Sequence, residues 1–176
     1  MEKLMKIKSF NYYNTGKMRF IGVELPITGD PFDTVVPVQT LYERLEPLKV
    51  QLQELQKEYG ADIQDLCFGH HSNNTELGNN DRHMLGYFFQ EDTPVPPGAD
   101  FFDIHTDQIG YGLYITETYI EDEGNAYGET RDRILHDGNC VPYPVGYWAA
   151  AVFTNGLPHE GKYRFGYVLP VLGNQL

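Results

Sequence analysis

Along the chain, the spacing of apolar positions switches between the two-residue period of strands and the three-to-four-residue period of helices. Met18-Arg-Phe-Ile-Gly-Val-Glu-Leu25 reads as a strand, closed by Pro26 and the turn-rich Thr28-Gly-Asp-Pro31. Val38, Leu41, Tyr42, Leu45, Leu48, Leu52, Leu55 and Tyr59 then form one continuous helical stripe, with Glu, Gln and Lys on the opposite face. Pro37 suits the first turn of that helix, Gly60 its stop, and Pro47 in mid-stripe is expected to kink or restart it. Asp65–His71 and His83–Gln90 are two strands around the polar loop 72–81, a hairpin with a long tip.

The second half repeats this order. After Pro94-Val-Pro-Pro-Gly98 comes one long extended stretch from Phe101 to Thr118. A weaker helix is predicted over Ile120–Asp137, with Ile120, Tyr127, Ile134 and Leu135 as its apolar positions and Gly138 as its stop. Tyr147–Phe153 and Tyr163–Leu169 form a second strand pair around Asn155-Gly156. The fold class that follows is α+β: duplicated β-α-β-β units in a mainly antiparallel sheet, helices on one face and a ligand groove on the other. The 176 residues fit one domain, its core about 18–171, and no linker or low-complexity segment divides them.

Charge and composition narrow the partners. A formal charge of −12 argues against nucleic acid, which calls for clustered Lys and Arg. Acidic residues concentrate between Glu91 and Asp137, where Arg131 and Arg133 are the only Lys or Arg residues. That stretch reads as a solvated acidic face, as a field that draws in cationic ligands, or as a surface for a protein partner. No apolar run reaches the roughly 20 residues that span a bilayer, and no signal peptide opens the chain, so a cytoplasmic protein without membrane contact is expected. Cys67 and Cys140 match no metal or redox spacing and are read as reduced thiols. Thirteen Tyr and ten Phe against one Trp point instead to strands whose faces line a cleft, because a buried tyrosine hydroxyl must find a partner.

Against this background, Gly86-Tyr-Phe-Phe89, Val95-Pro-Pro-Gly-Ala-Asp-Phe-Phe102 and Ile109-Gly-Tyr-Gly-Leu-Tyr114 resemble the middle of GyrI-like effector-binding domains. The ending Phe165-Gly-Tyr-Val-Leu-Pro-Val171 is similar to that family's closing strand, and the resemblance covers about Met18 to Val171. It implies a pseudo-twofold sheet whose central groove takes hydrophobic, often cationic, drug-like molecules. Some relatives are fused to a helix-turn-helix module, and some stand-alone members hydrolyse cyclopropane-bearing DNA-alkylating toxins. Only 17 residues precede the first predicted strand, so a stand-alone binding protein without a DNA-binding domain is expected. Many members also carry a groove Glu in the strand that here reads Tyr147-Trp-Ala-Ala-Ala-Val-Phe153. Its absence leaves a neutral aromatic site and weakens both cation selectivity and family-like hydrolysis.

The candidate ligand-binding residues are Tyr87, Phe89, Gly110, Gly112, Tyr114, Trp148, Tyr163, Phe165 and Tyr167. Gly110, Gly112 and Tyr114 share one strand face, and glycines there permit close approach by a ligand or a helix. Trp148, among small neighbours, is either a platform for an apolar or cationic ring or a space-filling core residue. Which strand faces line the groove stays open. Should the chain hydrolyse a strained electrophile, Glu117 is the candidate acid or base, with Asp103 also near the groove. There is no Gly-x-Ser-x-Gly and no phosphate loop; Ser9 and Ser72 are the only serines. Cys67, His70, His71 and His83 raise the question of zinc but match no known ligand spacing, so no metal and no cofactor are expected.

Overall fold

The duplicated order appears as two halves of one antiparallel sheet in a computed structural model, which describes residues 6–72, 81–116, 119–137, 140–142, 146–153 and 163–173. The first half is β2 (Met18–Pro26), α1 (Val35–Tyr59), β3 (Cys67–His71) and β4 (Arg82–Gln90). The second is β6 (Gln108–Thr116), α2 (Tyr119–Asp137), β8 (Trp148–Val152) and β9 (Tyr163–Gly173). They meet where β3 pairs with β8, His70 opposite Ala149 and Phe68 opposite Ala151. Across the sheet the strands run β1-β6-β9-β8-β3-β4-β2-β5. The short β7 (Cys140–Pro142), not foreseen in the sequence, pairs with β9.

Two strands correct the sequence reading. β1 (Lys6–Asn14) lies upstream of Met18 and pairs with β6, while β5 (Asp100–Ile104) pairs with β2. Each half thus holds the outer strand that precedes the other half in the chain. The single extended stretch expected from Phe101 to Thr118 is in fact β5 and β6, broken at Thr106. The buried Thr106 hydroxyl lies 3.1 Å from the Gln108 oxygen and 3.2 Å from that of Val171, and accepts from the Gln108 N–H at 3.3 Å. A side chain that bonds its own backbone two residues on favours a turn over a continuing ladder.

Those connections force the sheet to roll. Three residues separate β1 from β2 and three separate β5 from β6, although each pair stands six positions apart in strand order. Six strand spacings of about 4.8 Å would need roughly 29 Å in a flat sheet, whereas four Cα steps reach at most about 15 Å. Contacts agree: Phe102 of β5 stacks on His71 of β3, centroids 4.0 Å apart, across two intervening strands. The Thr15 N–H meets the Asp107 oxygen at 2.8 Å, and Gln108 donates to Asn14 at 3.0 Å, tying the two connections together.

Rolling gives the sheet a convex and a concave face, each with its own core. On the convex face Leu41, Leu45 and Leu52 of α1, and Ala126 and Ile134 of α2, pack on Ile21, Phe68, Leu85, Phe89, Phe165 and Leu169. The predicted α1 stripe is the one buried, and the helix runs unbroken through Pro47, which is exposed. In α2 the inward row is Ala126, Thr130 and Ile134, whereas Leu135, expected among the buried positions, is half exposed because it sits about 100° round the helix from Ile134. The concave face carries no helix among the described residues. Met18, Phe20, Met84, Phe88, Trp148 and Val168 fill its middle, with Ala61 and Ile63 from the segment after α1.

Candidate functional site

The convex seam between α1 and α2 concentrates the aromatic chemistry. Its floor is β8 with the residue on either side of it, whose helix-facing side chains are Tyr147, Ala149, Ala151 and Phe153, an aromatic ring at each end and two methyl groups between. Ala149 is flanked by His70 and Ala151 by Phe68 and Tyr167 on the adjoining strands. Alternation along β8 puts both alanines towards the helices, and nothing larger rises from the floor between the rings.

At one end the two halves meet ring to ring. Tyr127 of α2 packs on Phe32, from the segment before α1, at 5.3 Å, and on His70, Tyr147 and Tyr167 at 6.1, 6.2 and 6.4 Å. His70 lies parallel to Tyr147 at 5.7 Å and edge-on to Phe32 at 5.6 Å, with its Nε2 3.4 Å from the Tyr147 hydroxyl. Burial among these rings, reinforced by His83 and His71, lowers the His70 pKa to about 3, so its imidazole is neutral near pH 7. At the other end a cleft of about 290 Å³ opens beside α1, lined by Tyr42, Lys49 and Gln53 of the helix with Tyr87 and Phe153 of the sheet. Burial raises the pKa of Tyr87, and the hydrogen bond with Gln53 acts in the opposite sense.

The structure divides the sequence-predicted site residues between the two faces. Tyr87, Phe89, Tyr114, Phe165 and Tyr167 lie on the convex face, all buried. Gly110 and Gly112 lie there too, beneath α2: a Cβ on Gly110 would meet Ile134 at 2.9 Å, and one on Gly112 the Tyr114 ring at 2.6 Å. Tyr114 donates to or accepts from Thr130 of α2 at 2.7 Å and stacks on Phe165, which places this trio under the helix rather than on open floor. Trp148 points the other way, into the concave core against Phe88 at 5.4 Å. Tyr163 begins β9, its side chain outside the described residues, and so is the whole of Glu117. Phe32, Tyr127 and Tyr147 were not among the predicted ligand residues. The run Ala149-Ala-Ala151 beside Tyr147 was a sequence signal for that residue alone.

The other candidates separate in the same way. Cys67 and His71 face the concave side, and His70 and His83 the convex side. Among the described residues no group of three or more His, Cys, Asp and Glu is placed to hold a metal ion. His71 Nε2 lies 2.7 Å from Glu24, whose nearly buried carboxylate also accepts from Arg82 at 3.1 Å. Asp103 is held by Arg19 through two contacts of 2.6 and 3.2 Å, and that bond keeps its carboxyl below the usual carboxylate range. Two clefts of about 340 Å³ open beside the concave core, one at His71, Phe102 and His105, the other at Tyr13, Ile63 and Tyr111. No helix among the described residues is long and apolar enough to cross a membrane.

No protein-family model matches the chain, and no curated protein matches it in sequence. Solved structures do match in fold. The structure of SAV2435 bound to tetraphenylphosphonium superposes with a TM-score of 0.60 at 12% identity, covering 94% of both chains. The C-terminal domain of EcmrR gives 0.54 at 10% identity over 97% of this chain and 99% of its own. A hydrolase encoded by lin2189 from Listeria innocua gives 0.54 at 8% identity over 94% and 92%. At these identities the likeness is one of fold, the duplicated α+β sheet.

Proposed function

We propose that this chain is a small-molecule-binding protein of the GyrI-like kind, which holds an aromatic or otherwise apolar molecule in the convex seam between α1 and α2, on the helix-bearing face rather than the opposite face where the sequence led us to expect the groove. The observation that carries this reading is the meeting of Phe32, Tyr127, His70 and Tyr147 at the junction of the halves, beside the methyl floor of Ala149 and Ala151. Rings with neutral polar tips over small floor residues favour planar ligands, which gain stacking area and a few hydrogen bonds. The described floor carries no carboxylate, so nothing there favours a cation through charge, and no described side chain of the seam is poised to activate water. SAV2435, which shares the fold, was solved with tetraphenylphosphonium, an aromatic ligand. Thermal-shift and titration-calorimetry screens against uncharged, cationic and anionic aromatic compounds test the reading. A ligand at one hundred times its Kd stabilises the folded state by about 2.7 kcal/mol. Binders whose affinity falls on Tyr127→Ala or Tyr147→Ala support the site, whereas a panel that leaves the melting temperature unmoved rejects it.

A further inference from the structure

The N-terminus of α1 opens onto the aromatic end of this seam with its polar groups uncommitted. Thr34, the cap residue, makes no side-chain bond to the helix, and no acidic residue occupies the first turn. Its hydroxyl is buried, with the residue 1% exposed, and has no partner among the described residues. Close to the same corner is His83, 3% exposed, whose Nδ1 is likewise without a partner among the described residues and whose ring feels the charge of Asp33, next to the cap. Register places His83 there: it pairs with Leu25 at the end of β2, from which the chain turns into α1, and with His70 on the other side. The imidazole lies flat on Phe68 at 5.8 Å, which fixes its plane. Phe32, two residues before the cap, reaches His70 and Tyr127 from this same corner.

A helix start of this kind presents orphan N–H groups and about half a positive charge. Buried polar atoms left without partners cost about 1–3 kcal/mol each, a penalty that a suitable ligand group removes. We infer that the α1 N-terminus, Thr34 and His83 form a subsite for the carboxylate of an aromatic acid whose ring enters the Phe32–His70–Tyr127–Tyr147 end of the seam. This inference rests on the seam being the binding site. The carboxylate accepts from the first-turn N–H groups, from the Thr34 hydroxyl and from a protonated ring nitrogen of His83, so the atoms now unpartnered all find a place. A cation would meet the positive end of the helix instead. Three acids flank the corner in sequence: Asp30, whose carboxylate accepts from the Phe32 N–H at 2.9 Å, Asp33, which is exposed but whose charge still acts on the His83 ring, and Asp81, which has interactions of its own.

Calorimetry on the full chain with three probes of one ring system tests this: 2-naphthoate, 2-naphthamide and 2-naphthylmethylammonium. The expected order is naphthoate about tenfold or more tighter than the amide, as one or two charge-assisted hydrogen bonds imply, with the ammonium weakest. Thr34→Val and His83→Phe should each weaken naphthoate by more than they weaken the amide, narrowing the gap between the two. Val36→Asp, at an exposed first-turn position, offers the same N–H groups an internal carboxylate without disturbing the core. It should weaken naphthoate alone. Equal affinity for naphthoate and amide, or a preference that survives all three substitutions, would overturn the carboxylate subsite and leave the seam intact; the unpartnered atoms would then bind only water. Tightest binding by the ammonium overturns it as well. If none of the three binds, the seam itself fails as the site, and this inference with it.

Discussion

His70 gives the seam a titration that stability measurements can isolate. Its pKa falls from an ordinary 6.5 to about 3 because burial disfavours the charged ring, with His83 and His71 adding to the effect. Between those two values the unfolded chain binds a proton that the folded chain refuses, so folding stability falls as pH falls. The loss begins near pH 6.5 and proceeds at about 1.4 kcal/mol per pH unit, reaching roughly 2 kcal/mol at pH 5. His83, also lowered by burial, contributes in the same direction. The test is urea denaturation of the wild type and of His70→Phe at intervals from pH 7.5 to 5, above the range where carboxylates dominate. Phenylalanine keeps a ring against Tyr147, Phe32 and Tyr127 but carries no proton. The difference between the two stability curves should grow by about 2 kcal/mol across the window, the variant gaining relative to the wild type as the solution is acidified. Parallel curves would refute the argument, since they would mean that His70 titrates alike in both states or that the seam opens to water before it charges.

Other perturbations separate strong from weak interactions. Gly69→Ala would set a methyl group against the Ala149 carbonyl oxygen of the paired β8, a backbone atom that cannot swing aside; a loss of about 3 kcal/mol is expected in urea titration. Tyr127→Ala removes the half-buried ring that joins the two halves and should cost about 2 kcal/mol, with tyrosine fluorescence and melting temperature as readouts. Glu24→Gln discharges a carboxylate shared by His71 and Arg82. Because Arg82 is 40% exposed and can turn to solvent, the cost should be about 2 kcal/mol rather than that of a fully buried pair. Arg19→Met, by contrast, breaks a pair whose Asp103 is 48% exposed, and denaturation should show a change below about 1 kcal/mol that shrinks further in salt.

Periodicity carried most of the fold because the elements that build it bury one face. The α1 stripe from Val38 to Tyr59 and the alternation in Met18–Leu25 were legible for that reason. β1 was not: Lys6-Ile-Lys-Ser-Phe-Asn-Tyr-Tyr-Asn14 is an edge strand with a largely exposed side, so its pattern lacks apolar contrast. The break between β5 and β6 depends on one hydroxyl, Thr106, whose second contact is Val171, 65 residues further on. For the site, Tyr87 and Phe89, and likewise Phe165 and Tyr167, were correctly placed on shared faces by alternation. Alternation cannot say which face meets the helices, and so Trp148 was grouped with rings that it opposes across the sheet. Phe32 and Tyr127 come together only through the fold, from segments almost one hundred residues apart.

The reciprocal placement of β1 and β5 governs how the seam can move. Pulling the halves apart would break the β3–β8 ladder and draw the three-residue connections 15–17 and 105–107 taut, after which β1 would have to peel from β6 or β5 from β2. A hinge at the pseudo-twofold axis is therefore mechanically locked. Access falls to the layer outside the ladders, where Tyr127 on α2 and Phe32 before α1 pack ring on ring. The protein should admit a guest by parting two aromatic side chains over a rigid floor, with a backbone trace that changes little between the empty and the occupied state.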